Sequence, residues 1–497
     1  MVKKLSASSF LQKNFVCLAV AIIILGAYLR FYNYSNRWGL AYDQAHDALV
    51  ARGALDQRKI PLLGPFSSAG PFQTGGEWYW LIMIGTQFNP SLVMSPWVFL
   101  TSLYVLYVML LIYVGKELYG EKYGLVLGLL GSISTAGIAQ SVSLTNQTPL
   151  AFISLLCIWC AMRCVKTKST FYFFALGFFV SLAISIHLQG TALASVIIVT
   201  FLFSGIPTRR EIFFLSLGLL LPAMPLLWYD VQNDFFNIRN MLQYYLVDQY
   251  KISLDVLGRR WLTYLTEFWP KAWSHMIGGQ VMVTYALALV GLIEYIYCRF
   301  KKENVHVWTF IICCFGFLMT IIRYARVPLF DSFVFFTHPF VLMLTAFSVY
   351  FLLKHMRPAG LVLLIFILGG TGVATVREIN YGSNFAEQES ISFKNTIYRK
   401  FPSIKFAVYD YNYLSANSSL PFVLYMHADG NISDVGRKIG FSTAVMPEYW
   451  PLIASFSGKT VFDLSGSSSA ELKQSGWQLV NPNGIYLETE EWRQYHD

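Results

Sequence analysis

Long apolar segments alternate with short polar connections over most of this chain. A membrane-spanning helix needs roughly 17–25 mostly apolar residues, and eleven segments meet or approach that length. They are residues 14–33, 93–115, 124–142, 149–164, 171–189, 190–206, 211–229, 280–298, 305–323, 332–353 and 359–376. The pattern predicts an all-α polytopic membrane protein of about eleven transmembrane helices, with residues 1–376 as its transmembrane domain.

Two further segments before the second span are predicted to be helices of a different kind. Residues 78–88 are apolar, but as an α-helix they rise only about 16 Å, so we expect an amphipathic or re-entrant helix at the interface. Residues 42–52 read as the start of a helix just after the first span. Its apolar positions Ala45, Ala48 and Leu49 suit a helix that lies on the bilayer surface.

Composition excludes the soluble and disordered classes. Hydrophobic residues make up 55% of the chain and charged residues 13%, whereas a soluble domain has about 25% charged residues. The seven cysteines all lie in or beside apolar segments. They therefore indicate neither a disulfide framework nor a zinc site.

The net charge of +9 initially suggests a polyanion partner such as a nucleic acid. The basic residues, however, cluster in alternate short connections, as the positive-inside rule requires of cytoplasmic loops. The clusters are Lys116 and Lys122; Arg163, Lys166 and Lys168; Arg209 and Arg210; Arg299, Lys301 and Lys302; and Lys354 and Arg357. We therefore expect no nucleic-acid partner and a plasma (inner) membrane location with a cytoplasmic N-terminus.

On this topology, three regions lie outside: loop 34–92, loop 230–279 and the tail 377–497. The tail has short β-type runs at residues 406–409, 421–425, 459–462 and 484–487, separated by Asn, Ser, Gly and Asp. It is predicted to be a small extracytoplasmic α/β domain. Acceptor recognition, or covering of the site, is suggested for it by position alone.

The ionisable residues gather in the outer loops, and the spans are nearly free of them, which favours surface chemistry over passage through the membrane. Asp43, His46 and Asp47 have the i, i+3, i+4 spacing that places them on one helix face. Asp43 could cap the helix while Asp47 pairs with Arg52. Alternatively, a carboxylate held here is a general base toward a hydroxyl, or the three side chains bind a divalent metal.

These segments resemble the polytopic GT-C glycosyltransferases, in the bacterial branch related to protein O-mannosyltransferases and aminoarabinose lipid A transferases (glycosyltransferase family 39-like). The resemblance rests on the aromatic end of the first span, Asp43 near a helix start, "ALVARGALDQRKIPLLGP" and the Gly-rich turn into "EWYWL". It extends through "LAISIHLQGTAL" and "PLLWYDVQNDFFNIRNM", and covers roughly residues 14–350.

The resemblance implies a transfer of sugar from a polyprenyl phosphate, with inversion, to a hydroxyl of an envelope glycan, lipid or protein. Asp43 matches the family's catalytic acid, Gln44 stands where relatives often have Glu, and Asp47 is a possible helper. Where relatives carry a phosphate-binding Lys or His, this chain has Thr74, Gly75 and Gly76. The cation would then come from Arg58, Lys59, Arg239, Arg259, Arg260, Lys271, Arg323 or Arg326.

The predicted substrate-binding residues are Gln44, His46, Arg58, Lys59, Glu77, His187, Asp230 and Arg239. No metal or other cofactor is expected to be required, because cationic side chains alone can stabilise a monophosphate leaving group; a divalent metal is the less favoured alternative. Membrane lipids are expected partners. Two other functions stay open: a transporter or flippase of lipid-linked sugar that has no catalytic base, and a non-catalytic envelope assembly subunit.

Overall fold

The structure is a computed structural model, and it describes residues 14–67, 71–247, 264–301, 305–321, 331–382, 384–411, 419–443, 449–456 and 459–480. Outside these residues lie the predicted strand at 484–487 and four candidate cations, Arg259, Arg260, Arg323 and Arg326.

Helices α1 to α10 are Phe15–Phe31, Tyr34–Arg37, Tyr42–Asp56, Glu77–Phe88, Ser95–Tyr119, Glu121–Ile133, Thr135–Ser141, Leu150–Thr167, Thr170–Ile186 and Ala194–Ser204. Helices α11 to α20 are Arg209–Gln232, Phe236–Leu246, Trp269–Met276, Val281–Lys301, Val305–Ile321, His338–His355, Arg357–Asn380, Phe385–Lys400, Leu420–Ala428 and Ser469–Gln474.

Each of the eleven predicted spans contains a helix or a pair of helices. By length and hydropathy, six helices of the described chain can cross a membrane, or seven if the bent pair α6–α7 is one span. Three shorter apolar helices, Phe15–Phe31, Thr170–Ile186 and Leu188–Ser204, lie in further predicted spans. The polytopic helical membrane fold is therefore confirmed, and the count of eleven stays a prediction.

The spanning helices differ in how much of their surface the protein covers. The apolar window of Val334–His355 is 78% buried, whereas that of α11 is 17% buried. Because apolar side chains are stable against lipid tails, an apolar helix left open by the protein fits a lipid-facing position. The segment Val334–His355 thus lies at the centre of the bundle, and α11 at its lipid-facing side.

A buried arginine stabilises the bend of 58° between α6 and α7. Arg30, at the end of α1, donates to the backbone oxygens of Gly131 and Ser132, which lie next to the break. Carbonyl groups at a helix break have lost their intrahelical partners, so a buried donor compensates for them.

Beside the break, His338 is fully buried and contacts Tyr107 Oη at 2.8 Å and Ser134 Oγ at 2.7 Å. The spans therefore hold more buried ionisable side chains than the sequence suggested.

After α17 the chain builds a small α/β region. Strands β3 to β7 are Phe406–Tyr411, Arg437–Ser442, Leu452–Phe456, Lys459–Asp463 and Trp477–Leu479, in the sheet order β5-β6-β4-β3-β7. The β3–β4 pair is parallel and the other pairs are antiparallel. Two predicted strands are present, at 406–409 and 459–462. The prediction at 421–425 is wrong, because this run lies in α19, where Pro421 occupies the first turn of the helix.

This C-terminal region contacts the segment between α2 and α3 directly. One carboxylate oxygen of Glu387, on α18, accepts a hydrogen bond from Trp38 Nε1 at 3.1 Å, and the other accepts from Tyr425 Oη at 2.8 Å. Asn384 Nδ2 donates to the backbone oxygen of Trp38 at 2.7 Å. The segment just before α3 is therefore held between the helix bundle and the C-terminal region.

Candidate functional site

Helix α3 begins at a side-chain hydrogen bond that does not involve Asp43. Gln44 Oε1 accepts from the backbone N–H of Ala41 at 2.9 Å, and Ala41 is the N-cap. The expected capping role of Asp43 is therefore wrong. Its carboxylate lies in the first turn of the helix, is exposed, and makes no capping bond. This leaves Asp43 accessible to a substrate.

The face of α3 that was expected to lie on the bilayer is instead buried in protein. Ala45, Ala48 and Leu49 have no exposed surface. They belong to a core to which Trp78 and Ile82 of α4 also contribute. Since α4 and α19 pack directly on α3, this helix is a rigid internal element, which favours precise placement of the side chains at its start.

Asp47 is a buried acceptor that joins α3 to α4. Trp78 Nε1 donates to one oxygen at 2.6 Å, while Tyr79 Oη, at 3.5 Å, and His46 Nδ1, at 3.2 Å, contact the other. The expected Asp47–Arg52 pair is absent from this part of the described chain: Arg52 donates to the backbone oxygen of Pro90. Side chains five positions apart on a helix point about 140° away from each other, so the two cannot meet.

The electrostatic surroundings of Asp43 suit a proton acceptor. Partial desolvation raises the pKa of its carboxylate, the negative charge of Asp47 raises it further, and His46 opposes both effects. A carboxylate with a raised pKa is a stronger base. The charges of His46 and Asp47 thus change the pKa of Asp43 in opposite directions.

Glu77 lies in a buried position beside a short hairpin. Strands β1, Leu63–Phe66, and β2, Gln73–Gly75, pair antiparallel and precede α4. A Cβ atom added at Gly75 would lie 2.2 Å from Glu77 Oε2 and 3.0 Å from Ser185 Cβ, so a larger residue there would force the Glu77 carboxylate to move. Neither carboxylate oxygen accepts a hydrogen bond from another described residue. Burial raises the pKa of Glu77 to about 7.

Asp230, in the last turn of α11, binds the start of α12. Its carboxylate accepts from the backbone N–H and the amide of Asn237, at 3.1 and 3.0 Å, and from the backbone N–H of Ile238 at 2.8 Å. Asn237 Oδ1 in turn accepts from the backbone N–H of Gln73 at 2.8 Å. Asp230 is fully buried. It therefore fixes the start of α12 against the β1–β2 hairpin.

His187 is the C-cap residue of α9. Its Nδ1 accepts from the backbone N–H of Gln189 at 3.2 Å, and its Nε2 lies 3.2 Å from Gln147 Nε2. Ser185 of the same helix lies against Gly75. Three regions that contain predicted site residues therefore meet at the hairpin: the start of α4 with Glu77, the end of α11 with Asp230, and the end of α9.

Two of the predicted cations lie at the other end of α3 from Asp43. Arg58 and Lys59 are exposed beyond the C-terminal end of α3, and at 1.5 Å per residue they are about 20 Å from Asp43 along the helix axis. Arg239 is exposed on α12. Arg58 and Lys59 cannot contact a small group that also contacts Asp43. The hairpin residue Thr74, at the position where the resembling enzymes carry a cation, has a buried hydroxyl with no hydrogen-bond partner among the described residues.

A polar cavity opens beside the start of α3. Its volume is about 310 Å³, and it is bounded by the segment before α3 on one side and by the end of α17 and the start of α18 on the other. The lining includes Arg37, Trp38, Gln44, Glu378 and Asn384. Arg37 is not among the residues predicted from the sequence, because an arginine close to an apolar span resembles an ordinary flanking residue.

Among the described residues, no group of three or more His, Cys, Asp or Glu side chains has an arrangement that could hold a metal ion.

No family model and no curated protein sequence matches this chain. Solved structures do match. ArnT from Cupriavidus metallidurans bound to undecaprenyl phosphate superposes with a TM-score of 0.54 and 9% identity, over 92% of this chain and 98% of that one. The archaeal oligosaccharyltransferase AglB from Archaeoglobus fulgidus, in complex with an inhibitory peptide and a dolichol-phosphate, gives a TM-score of 0.50 and 11% identity.

The AglB match covers 87% of this chain and 70% of that one. With the apo form of the Archaeoglobus fulgidus oligosaccharyltransferase, the TM-score is 0.50 at 12% identity, and this chain spans 65% of that protein's length, slightly less than two thirds. Both relatives have the GT-C fold. At these identities the likeness concerns the fold, and it agrees with the resemblance seen in the sequence. The chain therefore has the GT-C fold of polytopic membrane proteins, with an ArnT-like arrangement.

Proposed function

We propose that this protein is a membrane glycosyltransferase with Asp43 as its general base. It moves a sugar from a polyprenyl-phosphate donor to a hydroxyl of an envelope glycan, lipid or protein, with inversion at the anomeric carbon. The observation that carries the proposal is the exposed carboxylate of Asp43 at the start of a buried helix, on a fold shared with two glycosyltransferases.

The same comparison and the hydropathy support the proposed donor class. ArnT was solved with undecaprenyl phosphate and AglB with a dolichol-phosphate. Exposed apolar helices such as α11 supply the surface that a prenyl tail needs. The reaction then takes place at the outer face of the plasma membrane, with the N-terminus in the cytoplasm and the α/β region outside.

The proposed chemistry needs only one proton acceptor. As the acceptor hydroxyl attacks the anomeric carbon, its proton passes to Asp43, the bond from that carbon to the phosphate oxygen breaks, and the phosphate leaves with the electron pair. Asp47 is a positioning residue in this scheme, since its oxygens are bound by Trp78, Tyr79 and His46. Cationic side chains stabilise the charge that develops on the phosphate.

The test is Asp43→Asn in the full-length protein, reconstituted in vesicles with lipid-linked sugars from its own cells. We expect transfer to fall by at least about a hundredfold, the size typical of a lost general base, while the thermal unfolding midpoint stays unchanged. Asp56→Asn is a matched control, because it makes the same substitution near the other end of α3, where Asp56 contacts His427 at 3.1 Å. It should retain transfer.

Wild-type rates in Asp43→Asn would refute the assignment of the base. Movement of labelled lipid-linked sugar between leaflets, with no new glycosidic bond formed by the wild type, would instead identify a flippase. Chelation of divalent ions separates a metal-dependent reaction from the metal-independent one proposed here. A complete loss of transfer that one added ion restores would contradict the latter.

A further inference from the structure

Arg37 is a buried cation whose guanidinium is held by the end of the first span. Only 8% of its surface is exposed. Its Nη1 donates to the backbone oxygens of Leu29 at 3.0 Å, Arg30 at 3.3 Å and Tyr32 at 3.0 Å. These carbonyls lie at the C-terminal end of α1, where the helix leaves them without intrahelical partners. One nitrogen of the side chain therefore fixes the orientation of the whole planar group.

The opposite edge of the same guanidinium has no hydrogen-bond partner among the described residues. Nε and Nη2 are both buried, and neither donates a hydrogen bond to any described residue. These two nitrogens point parallel N–H groups in one direction, and their spacing matches two oxygens of a carboxylate or phosphate. A buried cation that is left half-paired is costly. The free edge is thus prepared for an oxyanion.

This edge belongs to a side chain that lines the cavity of about 310 Å³ beside α3. Ala41 and Gln44 line the same cavity, so it reaches the N-terminus of a helix of 15 residues. The first backbone N–H groups of a helix attract anions. Glu378 also lines the cavity, but it forms no salt bridge with Arg37 within the described ranges. Its carboxylate is a competing negative charge.

We propose that the cavity is an oxyanion site, in which the Nε–Nη2 edge of Arg37 binds a phosphate group of a substrate. The site supplies the cation that is missing from the hairpin at Thr74, Gly75 and Gly76. The phosphate is either that of a lipid-linked molecule or that of a water-soluble one. This inference deepens the proposed function and rests on it for its biological meaning, while phosphate binding itself is measurable without glycosyl transfer.

The experiment measures equilibrium binding to the full-length protein in nanodiscs. The lipid probes are undecaprenyl phosphate and undecaprenol, which differ only in the phosphate, and the soluble probes are glucose 1-phosphate and inorganic phosphate. Arg37→Lys retains the charge and a donor for the carbonyls of α1 but loses the bidentate edge. We expect it to weaken phosphate binding by about tenfold or more and to keep the wild-type thermal midpoint.

Two further variants sharpen the result. Glu378→Gln removes the competing carboxylate at constant size, and it should strengthen phosphate binding severalfold. Arg377→Gln removes an exposed arginine from the neighbouring position of α17, which does not line the cavity, and should leave affinity unchanged. Preference for undecaprenyl phosphate over undecaprenol identifies a lipid source, and binding of the soluble probes identifies a free phosphate; either result supports the site.

The proposal is overturned if a folded Arg37→Lys protein binds every phosphate probe as the wild type does. It is equally overturned if the wild type binds none of them. Loss of transfer in Asp43→Asn together with unchanged binding in Arg37→Lys would refute this site alone. Phosphate binding that depends on Arg37, in a protein that transfers no sugar, would refute the proposed function and leave the site standing.

Discussion

The indole N–H of Trp78 lies 2.6 Å from a carboxylate oxygen of Asp47, and both side chains are buried. This contact joins the helix that carries Asp43 to the next helix of the chain. The sequence predicts only that Trp78 begins an amphipathic or re-entrant helix at the interface. In the structure it has no exposed surface, and it acts as the main hydrogen-bond donor to a buried negative charge.

Trp78→Phe should therefore destabilise the protein. The substitution retains most of the apolar volume but removes the N–H group, so Asp47 is left with weaker donors. Leaving a buried charged acceptor underpaired costs about 1–3 kcal/mol, in addition to the smaller ring. The thermal midpoint in detergent measures the effect, with Trp80→Phe as a control whose lost bond, to the backbone oxygen of Pro61, involves no charge. An equal midpoint shift in both variants would contradict the role of the charge.

Asp47 should also shape the pH profile of transfer. A general base must be ionised, so the acidic limb of kcat/KM follows the pKa of Asp43, which Asp47 raises. Asp47→Asn removes that negative charge and still offers an oxygen to Trp78. We expect the limb to move to lower pH, with a midpoint closer to that of an ordinary aspartate. If the acidic limb does not move, the ionisation seen in the pH profile is not that of Asp43.

Glu77 should make stability depend on pH. Its pKa is about 7 in the folded protein, compared with 4.5 for an ordinary glutamate. The folded state therefore binds more protons between these values, and stability falls as pH rises through that range, by about 3 kcal/mol in all. Glu77→Gln should abolish most of this fall and be more stable than the wild type at pH 8. A wild-type thermal midpoint that is equal at pH 5 and pH 8 would contradict it.

Glu387 should control the attachment of the C-terminal region. Glu387→Ala leaves Trp38 Nε1 and Tyr425 Oη without their acceptor, and each lost bond to a charged group is worth about 1.5–3 kcal/mol. We expect faster cleavage after residue 380 in limited proteolysis and a red shift in the fluorescence of Trp38. Gln388→Ala, an exposed neighbour on α18, is the control. Identical cleavage of both variants would show that Glu387 does not hold this region.

Hydropathy predicted the helices of the bundle because a bilayer imposes length and apolarity on every span. It failed at residues 421–425, since a short apolar run fits a strand and a helix equally well. The position of Pro421 in the first turn favoured the helix. Spacing alone also misplaced the partner of Asp47, because Trp78 approaches it only when α3 and α4 pack together.

The sequence resemblance identified Asp43, and the exposure of its carboxylate is compatible with that assignment. It could not identify Arg37. The role proposed for this residue depends on three carbonyls at the end of α1 and on a cavity closed by residues more than 300 positions later. Contacts of that kind are set by tertiary structure, and a local pattern of charge or hydropathy contains no sign of them.

The hydrogen bonds of Trp38 have a consequence for the order of biosynthesis. Its partners Asn384 and Glu387 follow it by 346 and 349 residues, so a ribosome adding about 5–20 residues per second produces them tens of seconds later. During that interval the segment before Asp43 lacks the hydrogen bonds that Asn384 and Glu387 make with Trp38. A chain that is released before residue 384 therefore lacks both of these hydrogen bonds to Trp38.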